Sequence, residues 1–165
     1  MSESAPTQHS ARSAQRCEEL MYVEAPPEVV FRFVADLAQY ARYASSCVRY
    51  GPALTATTDQ PGARIELQVR RIGPFWQRRV LQLHAVEPPR CAIVGPPEGG
   101  AGLLRWTLEP EPPGTVVTLS SDLPAPAGPL GGALQRWAAA RLAVAHRDAL
   151  LRLKALAERE NPVRP

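Results

Sequence analysis

Apolar residues recur at helical spacing along one long stretch near the end of the chain, Leu130 to Glu160. The steps of three and four residues place these side chains on one face of an amphipathic helix. The stretch contains no proline, and Asn161 and Pro162 follow its end, so the pattern predicts a single long helix. The main apolar stripe is Leu134, Ala138, Leu142, Ala145, Ala149, Leu153 and Leu156, flanked by a second stripe of Trp137, Val144 and Leu151.

Upstream of this helix the pattern changes to short extended runs separated by proline and glycine turns. Alternation is clean at Ile65, Leu67 and Val69, whose neighbours in the sequence are polar. This order predicts an α+β protein, with one antiparallel sheet of about seven strands packed against the long helix. The predicted strands are Cys17–Glu24, Cys47–Ala56, Ala63–Ile72, Phe75–Val86, Arg90–Val94, Leu103–Glu109 and Thr115–Leu123.

Two short helices are predicted between the first and second strands. Prolines 26 and 27 suit the first turn of a helix, and Glu28 lies near its positive end. Asp36 is the expected cap of the second helix, Leu37–Ala44, which carries Tyr40 and Tyr43 on one side.

Composition and charge limit the kinds of protein that the chain could be. Hydrophobic residues make up 45% of the 165, no run is long enough to span a membrane, and the N-terminus lacks the apolar core of a signal peptide. We therefore expect a cytoplasmic protein with a disordered segment at 1–16, one domain at 17–160 and a tail at 161–165. The net charge is +3, but the basic residues are distributed over every element, and we expect no basic patch interleaved with aromatic residues and no nucleic-acid partner. Three separate cysteines indicate free thiols and predict neither a disulfide framework nor a metal site.

The element order, together with one motif, resembles a known superfamily. The motif runs from Val23 to Phe31 and is followed by Asp36 and Tyr40. It is similar to the START-like (SRPBCC) superfamily of polyketide cyclases and lipid-transport proteins. That resemblance implies a helix-grip fold, in which a curved antiparallel sheet surrounds a long C-terminal helix and leaves a deep cavity between them.

Three further details are similar to the single-domain aromatase/cyclases of bacterial aromatic polyketide synthesis, the tetracenomycin type. The run from Phe75 to Val80 matches their aromatic-rich strand, and Arg79 matches its pocket arginine. Leu104–Thr107 matches the strand with a pocket tryptophan, at Trp106, and Gly114-Thr115 matches the turn that follows. Where that group has a pocket tyrosine, this chain has Cys47.

Arg79 and Tyr43 are the candidate catalytic residues. Arg79 falls in the more apolar row of its strand, where its fork of donors would hold ketone oxygens or an enolate. Tyr43 would supply or accept a proton. A structural Arg79, paired to a carboxylate or turned outward by a bulge, is the alternative, and tyrosines at such positions also serve as packing residues.

The candidate substrate-binding residues come from every part of the fold. Trp106 would suit a position in the core equally well. For Arg141 and Asp148 the alternative is a purely structural role at the mouth of a groove, where Asp148 would pair with Arg152. His84 and His146 are expected at the surface, away from the sheet-facing stripe. The binding set is Tyr40, Cys47, Ile65, Leu67, Phe75, Trp106, Leu134, Ala138 and Arg141.

Two functions are compatible with these residues. The first is a cofactor-independent enzyme of the lyase type, a polyketide cyclase, aromatase or dehydratase of bacterial antibiotic biosynthesis. It would take its hydrophobic chain from an acyl carrier protein, because cyclisation needs mainly a cavity that fixes one chain conformation. The second is a non-catalytic carrier of a lipid or quinone. Neither reading requires a metal, a membrane or a nucleic acid.

Overall fold

A curved antiparallel sheet of seven strands forms the centre of the fold, with strand order β1-β7-β6-β5-β4-β3-β2. A computed structural model describes residues 15–70, 75–100, 102–124 and 130–161. A one-turn 3-10 helix, Leu37–Gln39, directly precedes α2. The elements in chain order are β1 Gln15–Val23, α1 Pro27–Val34, α2 Tyr40–Tyr43, β2 Val48–Ala53, β3 Arg64–Arg70, β4 Trp76–Glu87, β5 Cys91–Gly95, β6 Leu104–Glu111, β7 Gly114–Leu123 and α3 Gly131–Arg159.

The predicted α+β helix-grip architecture is confirmed, and each predicted strand corresponds to an observed one. The two ends of the predicted domain are seen only in part. Residues 1–14 of the expected N-terminal segment and residues 162–165 of the expected tail lie outside the described residues, whereas Gln15 and Arg16 already belong to β1. Asn161 donates a hydrogen bond to the backbone oxygen of Glu24, which joins the end of α3 to the end of β1.

The two short helices form where the sequence predicts them. Pro27 occupies the first turn of α1, where its missing N–H costs nothing, and the helix buries Val29, Val30, Phe33 and Val34. Asp36 caps the following turn by accepting a hydrogen bond from the backbone N–H of Ala38 at 2.9 Å.

The long helix α3 packs against β1 and β7, with further contacts to α1 and α2. Its buried face differs from the predicted one, which is a correction. Leu153 of the predicted stripe is buried, but Leu134 of the same stripe is 51% exposed, and the other buried residues of α3 lie outside the stripe. The two apolar stripes leave the rotation of the helix undetermined in the sequence, and contacts with β1 and β7 select a face that includes a histidine. The buried α3 residues are Gly131, Ala139, His146, Leu150, Leu153 and Ala157.

The turn between β6 and β7 fixes how β1 leads into α1. A side chain at Gly114 would place its Cβ 2.2 Å from the backbone oxygen of Val23, so only glycine allows this close approach. The adjacent Thr115 is fully buried, and its hydroxyl donates to the backbone oxygen of Ala25 at 2.7 Å. Gly114-Thr115 thus has a structural role in joining the sheet to α1. Within the described ranges, no helix combines the length and apolarity needed to cross a membrane.

Candidate functional site

A groove of about 580 Å³ lies between α3 and the segment that joins α2 to β2. Its volume lies within the range of about 300–1,000 Å³ that is common for small-molecule sites. We call it the α3 groove. Its lining residues are Ser45, Ser46, Cys47, Trp137, Ala140, Arg141, Val144, Ala145, Asp148 and Arg152.

The α3 groove has an apolar floor and a charged end. Trp137 and Val144 are 45% and 70% exposed, and together they give the groove an exposed apolar surface. Arg141 lies over the Trp137 ring, with its guanidinium carbon 5.0 Å from the ring centroid. At the end towards the C-terminus of α3, Arg152 donates to Asp148 at 3.1 Å, the i,i+4 pair that the sequence suggested.

Arg79, the candidate catalytic arginine, lies apart from the α3 groove. Its register partner in β3 is Leu67, so the two side chains share the inward face of the sheet. Arg79 is nevertheless exposed, whereas Leu67 is buried. The Arg79 guanidinium donates a hydrogen bond to the side-chain oxygen of Gln77 at 3.3 Å. It has no carboxylate partner within the described part of the chain.

The tyrosines of α2 are part of the core. The Tyr40 hydroxyl donates to the backbone oxygen of Val34 at 2.8 Å, and the Tyr43 hydroxyl donates to that of Phe33 at 3.0 Å. Burial raises the pKa of both phenols well above the ordinary value. Each proton is therefore held by the end of α1, and both hydroxyls help to fix α2 to α1.

Trp106 completes an aromatic cluster with these tyrosines. Its ring centroid lies 6.5 Å from that of Tyr40 and 6.0 Å from that of Tyr43, in edge-to-face geometry for both. Ile65 and Leu67 belong to the same packed core, with 3% and 7% exposure. These five residues, expected around one deep cavity, fill the interior beneath the sheet.

The remaining predicted binding residues are divided between the groove and the surface. Cys47 and Arg141 line the α3 groove. Phe75 is 76% exposed just before β4, Leu134 is exposed on α3, and Ala138 is half-buried beside it. The α3 groove thus brings together two of the predicted site residues, whereas five others are packed together in the core.

Sequence reasoning missed Trp137, Val144 and the serines at 45 and 46 as members of this site. The signal was present, because Trp137 and Val144 formed a second apolar stripe. In the sequence this stripe only flanks the main one, and the pattern assigns it no separate role. Rotation of α3 about its axis turns it towards the Ser45–Cys47 segment instead.

A buried polar pair lies where α3 crosses the sheet. His146 is 4% exposed, against the expected surface position, and its Nε2 is 3.5 Å from the hydroxyl oxygen of Ser121 in β7. Burial lowers the pKa of His146 to about 4, because the imidazolium would lose its hydration. Cys17, the register partner of Ser121 in β1, is also buried, and burial together with the charge of Glu19 raises the pKa of its thiol.

The outward face of β2, β3 and β4 carries a basic patch that the sequence analysis did not expect. Arg49 and Arg70 lie over the ring of Trp76, at 4.1 and 5.6 Å from its centroid. Arg78 lies on the same face and pairs with Glu66 at 3.2 Å. The expectation that no basic cluster is interleaved with aromatic residues was wrong, because these residues come from three different strands and only the register brings them together.

A second cavity and a metal centre are two alternatives to the α3 groove as the functional site. A second cavity of about 390 Å³ lies beside α1 and the end of α3, but its rim is charged and includes the ion pair of Arg42 with Glu160. Among the described residues, no three His, Cys, Asp or Glu side chains are grouped as metal ligands would be.

The seven-stranded sheet, the two short helices and the long C-terminal helix together define a helix-grip protein with a ligand-binding fold. Residues 14–158 match the family described as polyketide cyclase/dehydrase and lipid transport, and the chain belongs to that family. A search of curated protein sequences gave no match.

Solved structures of similar proteins share the fold at low sequence identity. The KanY protein, determined by NMR, has a TM-score of 0.72 and 16% identity, with 88% of this chain and 99% of that chain covered. A protein from Thermus thermophilus has a TM-score of 0.66 and 20% identity, with 87% and 97% covered. A Rhodobacter sphaeroides protein has a TM-score of 0.62 and 20% identity, with 92% and 97% covered. At these identities the likeness concerns the fold alone.

Proposed function

We propose that the protein binds a hydrophobic small molecule in the α3 groove and acts as its carrier. The observation that carries the proposal is the exposed apolar floor of the groove at Trp137 and Val144. Covering such side chains with an apolar ligand gains about 25 cal/mol for each Å² removed from water. The family description, which names polyketide cyclases and lipid transport, also points to hydrophobic ligands.

Carriage is favoured over catalysis because the tyrosines expected to transfer a proton lie outside the groove. The nearest candidate acids by sequence, Tyr40 and Tyr43, donate their protons to backbone oxygens and line the core. The groove itself contributes hydroxyls at Ser45 and Ser46, a half-buried thiol at Cys47, and the Asp148–Arg152 pair. These groups suit recognition of a ligand's polar end.

Binding can be tested with the neutral dye N-phenyl-1-naphthylamine and the variant Val144→Asp. Val144 is 70% exposed, so the variant is expected to fold, while a carboxylate on the groove floor should weaken dye binding by at least about tenfold. Leu151→Asp is the matched control, because Leu151 is 52% exposed on the same helix and does not line the groove. Failure of the wild type to bind the dye, or equal binding by both variants, contradicts the proposal.

Cyclisation of a polyketide chain is the second candidate function, and Arg79 is the observation in its favour. Its guanidinium lies on the inward face of the sheet, is exposed, and has no carboxylate partner among the described residues. A ketone or enolate oxygen of a chain delivered by an acyl carrier protein would satisfy its donors.

The variant Arg79→Lys separates the two functions. If Arg79 orients a ketone, this variant should fold and retain dye binding but lose about ten- to a thousand-fold in turnover of a polyketide substrate. Arg78→Lys on the outward face is the control for loss of an exposed arginine in the same strand. A folded Arg79→Lys protein with unchanged rate and product distribution excludes the catalytic role.

A further inference from the structure

The charges of the α3 groove do not balance. Three charged side chains line it: Arg141, Asp148 and Arg152. Asp148 and Arg152 neutralise each other through their contact at 3.1 Å. Arg141 has no carboxylate partner within the described part of the chain, so the groove offers one uncompensated positive charge.

Arg141 is placed among apolar side chains. It follows Trp137 by one helical turn, and its guanidinium lies over the indole ring at 5.0 Å. Ala140, Val144 and Ala145 border it along the groove. This contact with the ring occupies none of the five N–H donors in a conventional hydrogen bond, so the guanidinium can still donate to a ligand.

A neutral apolar ligand can cover the apolar floor of this groove, but it leaves the charge of Arg141 without a partner. Lying on Trp137 and Val144, it would displace water from the neighbouring guanidinium without replacing its hydrogen bonds, which reduces the gain from apolar burial. A ligand that carries one negative charge supplies both the hydrogen-bond acceptors and the missing charge.

We propose that the α3 groove is specific for a hydrophobic carboxylic acid, whose carboxylate accepts hydrogen bonds from Arg141 while its tail covers Trp137 and Val144. This inference rests on the proposed binding function and adds the chemical class of the ligand. One carboxylate matches the single uncompensated charge, and the Asp148–Arg152 pair closes the end of the groove without attracting a second anion.

The test compares two probes with the same tail, dodecanoate and dodecan-1-ol, as competitors of N-phenyl-1-naphthylamine at pH 7.5. Dodecanoate should bind the wild-type protein about tenfold more tightly than the alcohol, a modest ratio because Arg141 is solvent-exposed. Arg141→Gln should remove this advantage and leave the affinity for the alcohol within about twofold. Arg147→Gln, the same change at an exposed position of α3 outside the groove, should retain it.

Each alternative outcome has a separate meaning. Equal affinity of acid and alcohol overturns the ligand class while the carrier function stands. An acid preference that persists in Arg141→Gln overturns the assignment of Arg141. Absence of dye, acid and alcohol binding in the folded wild type overturns the carrier function and the ligand class together.

Discussion

Acidification should destabilise the protein through His146. This side chain is 4% exposed between α3 and β7, and its pKa in the folded protein is about 4, against an ordinary value of 6.5. The unfolded chain therefore binds a proton between pH 6.5 and pH 4 that the folded protein does not bind. Stability is unaffected by His146 above pH 6.5, falls as the pH decreases through this window, and reaches its full loss below pH 4.

The size of this effect follows from the two pKa values. Each pKa unit corresponds to about 1.4 kcal/mol, so the linkage predicts a loss of about 2.5 kcal/mol at pH 4.5 and about 3.4 kcal/mol when complete. Such a loss is a large fraction of the stability of about 5–15 kcal/mol that is ordinary for a domain.

Urea unfolding at pH 7.5 and pH 4.5 measures the loss, with His146→Gln as the comparison. Glutamine does not titrate and can still hydrogen-bond with Ser121, so the variant should lose about 2.5 kcal/mol less than the wild type between the two pH values. An NMR titration of the His146 ring provides a direct check. A ring that titrates near pH 6.5 in the folded protein, or equal pH dependence of the two proteins, would refute the reasoning.

Two further predictions concern the interior. Tyr43→Phe removes the hydroxyl that donates to the backbone oxygen of Phe33 and leaves that acceptor buried, so urea unfolding should show a loss of about 1–3 kcal/mol; an unchanged midpoint would contradict the role of this bond. Gly114→Ala forces a Cβ against the backbone oxygen of Val23 and should lower stability by more than about 2 kcal/mol, whereas Gly132→Ala, where a Cβ meets nothing within 4 Å, should have no such cost.

The strands and short helices could be predicted because their signals are local. Alternation at Ile65, Leu67 and Val69 and the proline and glycine turns define the strands, and Asp36 marks a helix start. These features depend on a few consecutive residues, so no knowledge of the tertiary structure is needed.

The rotation of α3 and the composition of the groove could not be predicted in the same way. Both apolar stripes of the helix have the correct period, and the buried face contains His146, which a pattern of polar and apolar residues assigns to the surface. Only the tertiary structure places Ser121 of β7 opposite His146, with the hydroxyl oxygen 3.5 Å from Nε2. Which face of α3 is buried therefore depends on contacts between residues that are far apart in the sequence.

The basic patch could not be predicted from the sequence for a related reason. Arg49, Arg70 and Trp76 belong to three strands, and their proximity depends on the pairing of β2 with β3 and of β3 with β4. The positions of these residues along the chain do not reveal which of them are paired across the strands.

The separate environments of the three tryptophans make the protein a set of optical probes. Trp106 is 2% exposed and lies 6.0–6.5 Å from Tyr43 and Tyr40, so its emission should be blue-shifted, fed by energy transfer from both phenols and protected from aqueous quenchers. Trp137 faces the α3 groove, and a bound ligand would shield it from iodide. Trp76 lies under two arginines on the opposite side of the sheet. Intrinsic fluorescence can therefore follow the core, the groove and the basic patch independently, with single Trp→Phe variants assigning each signal.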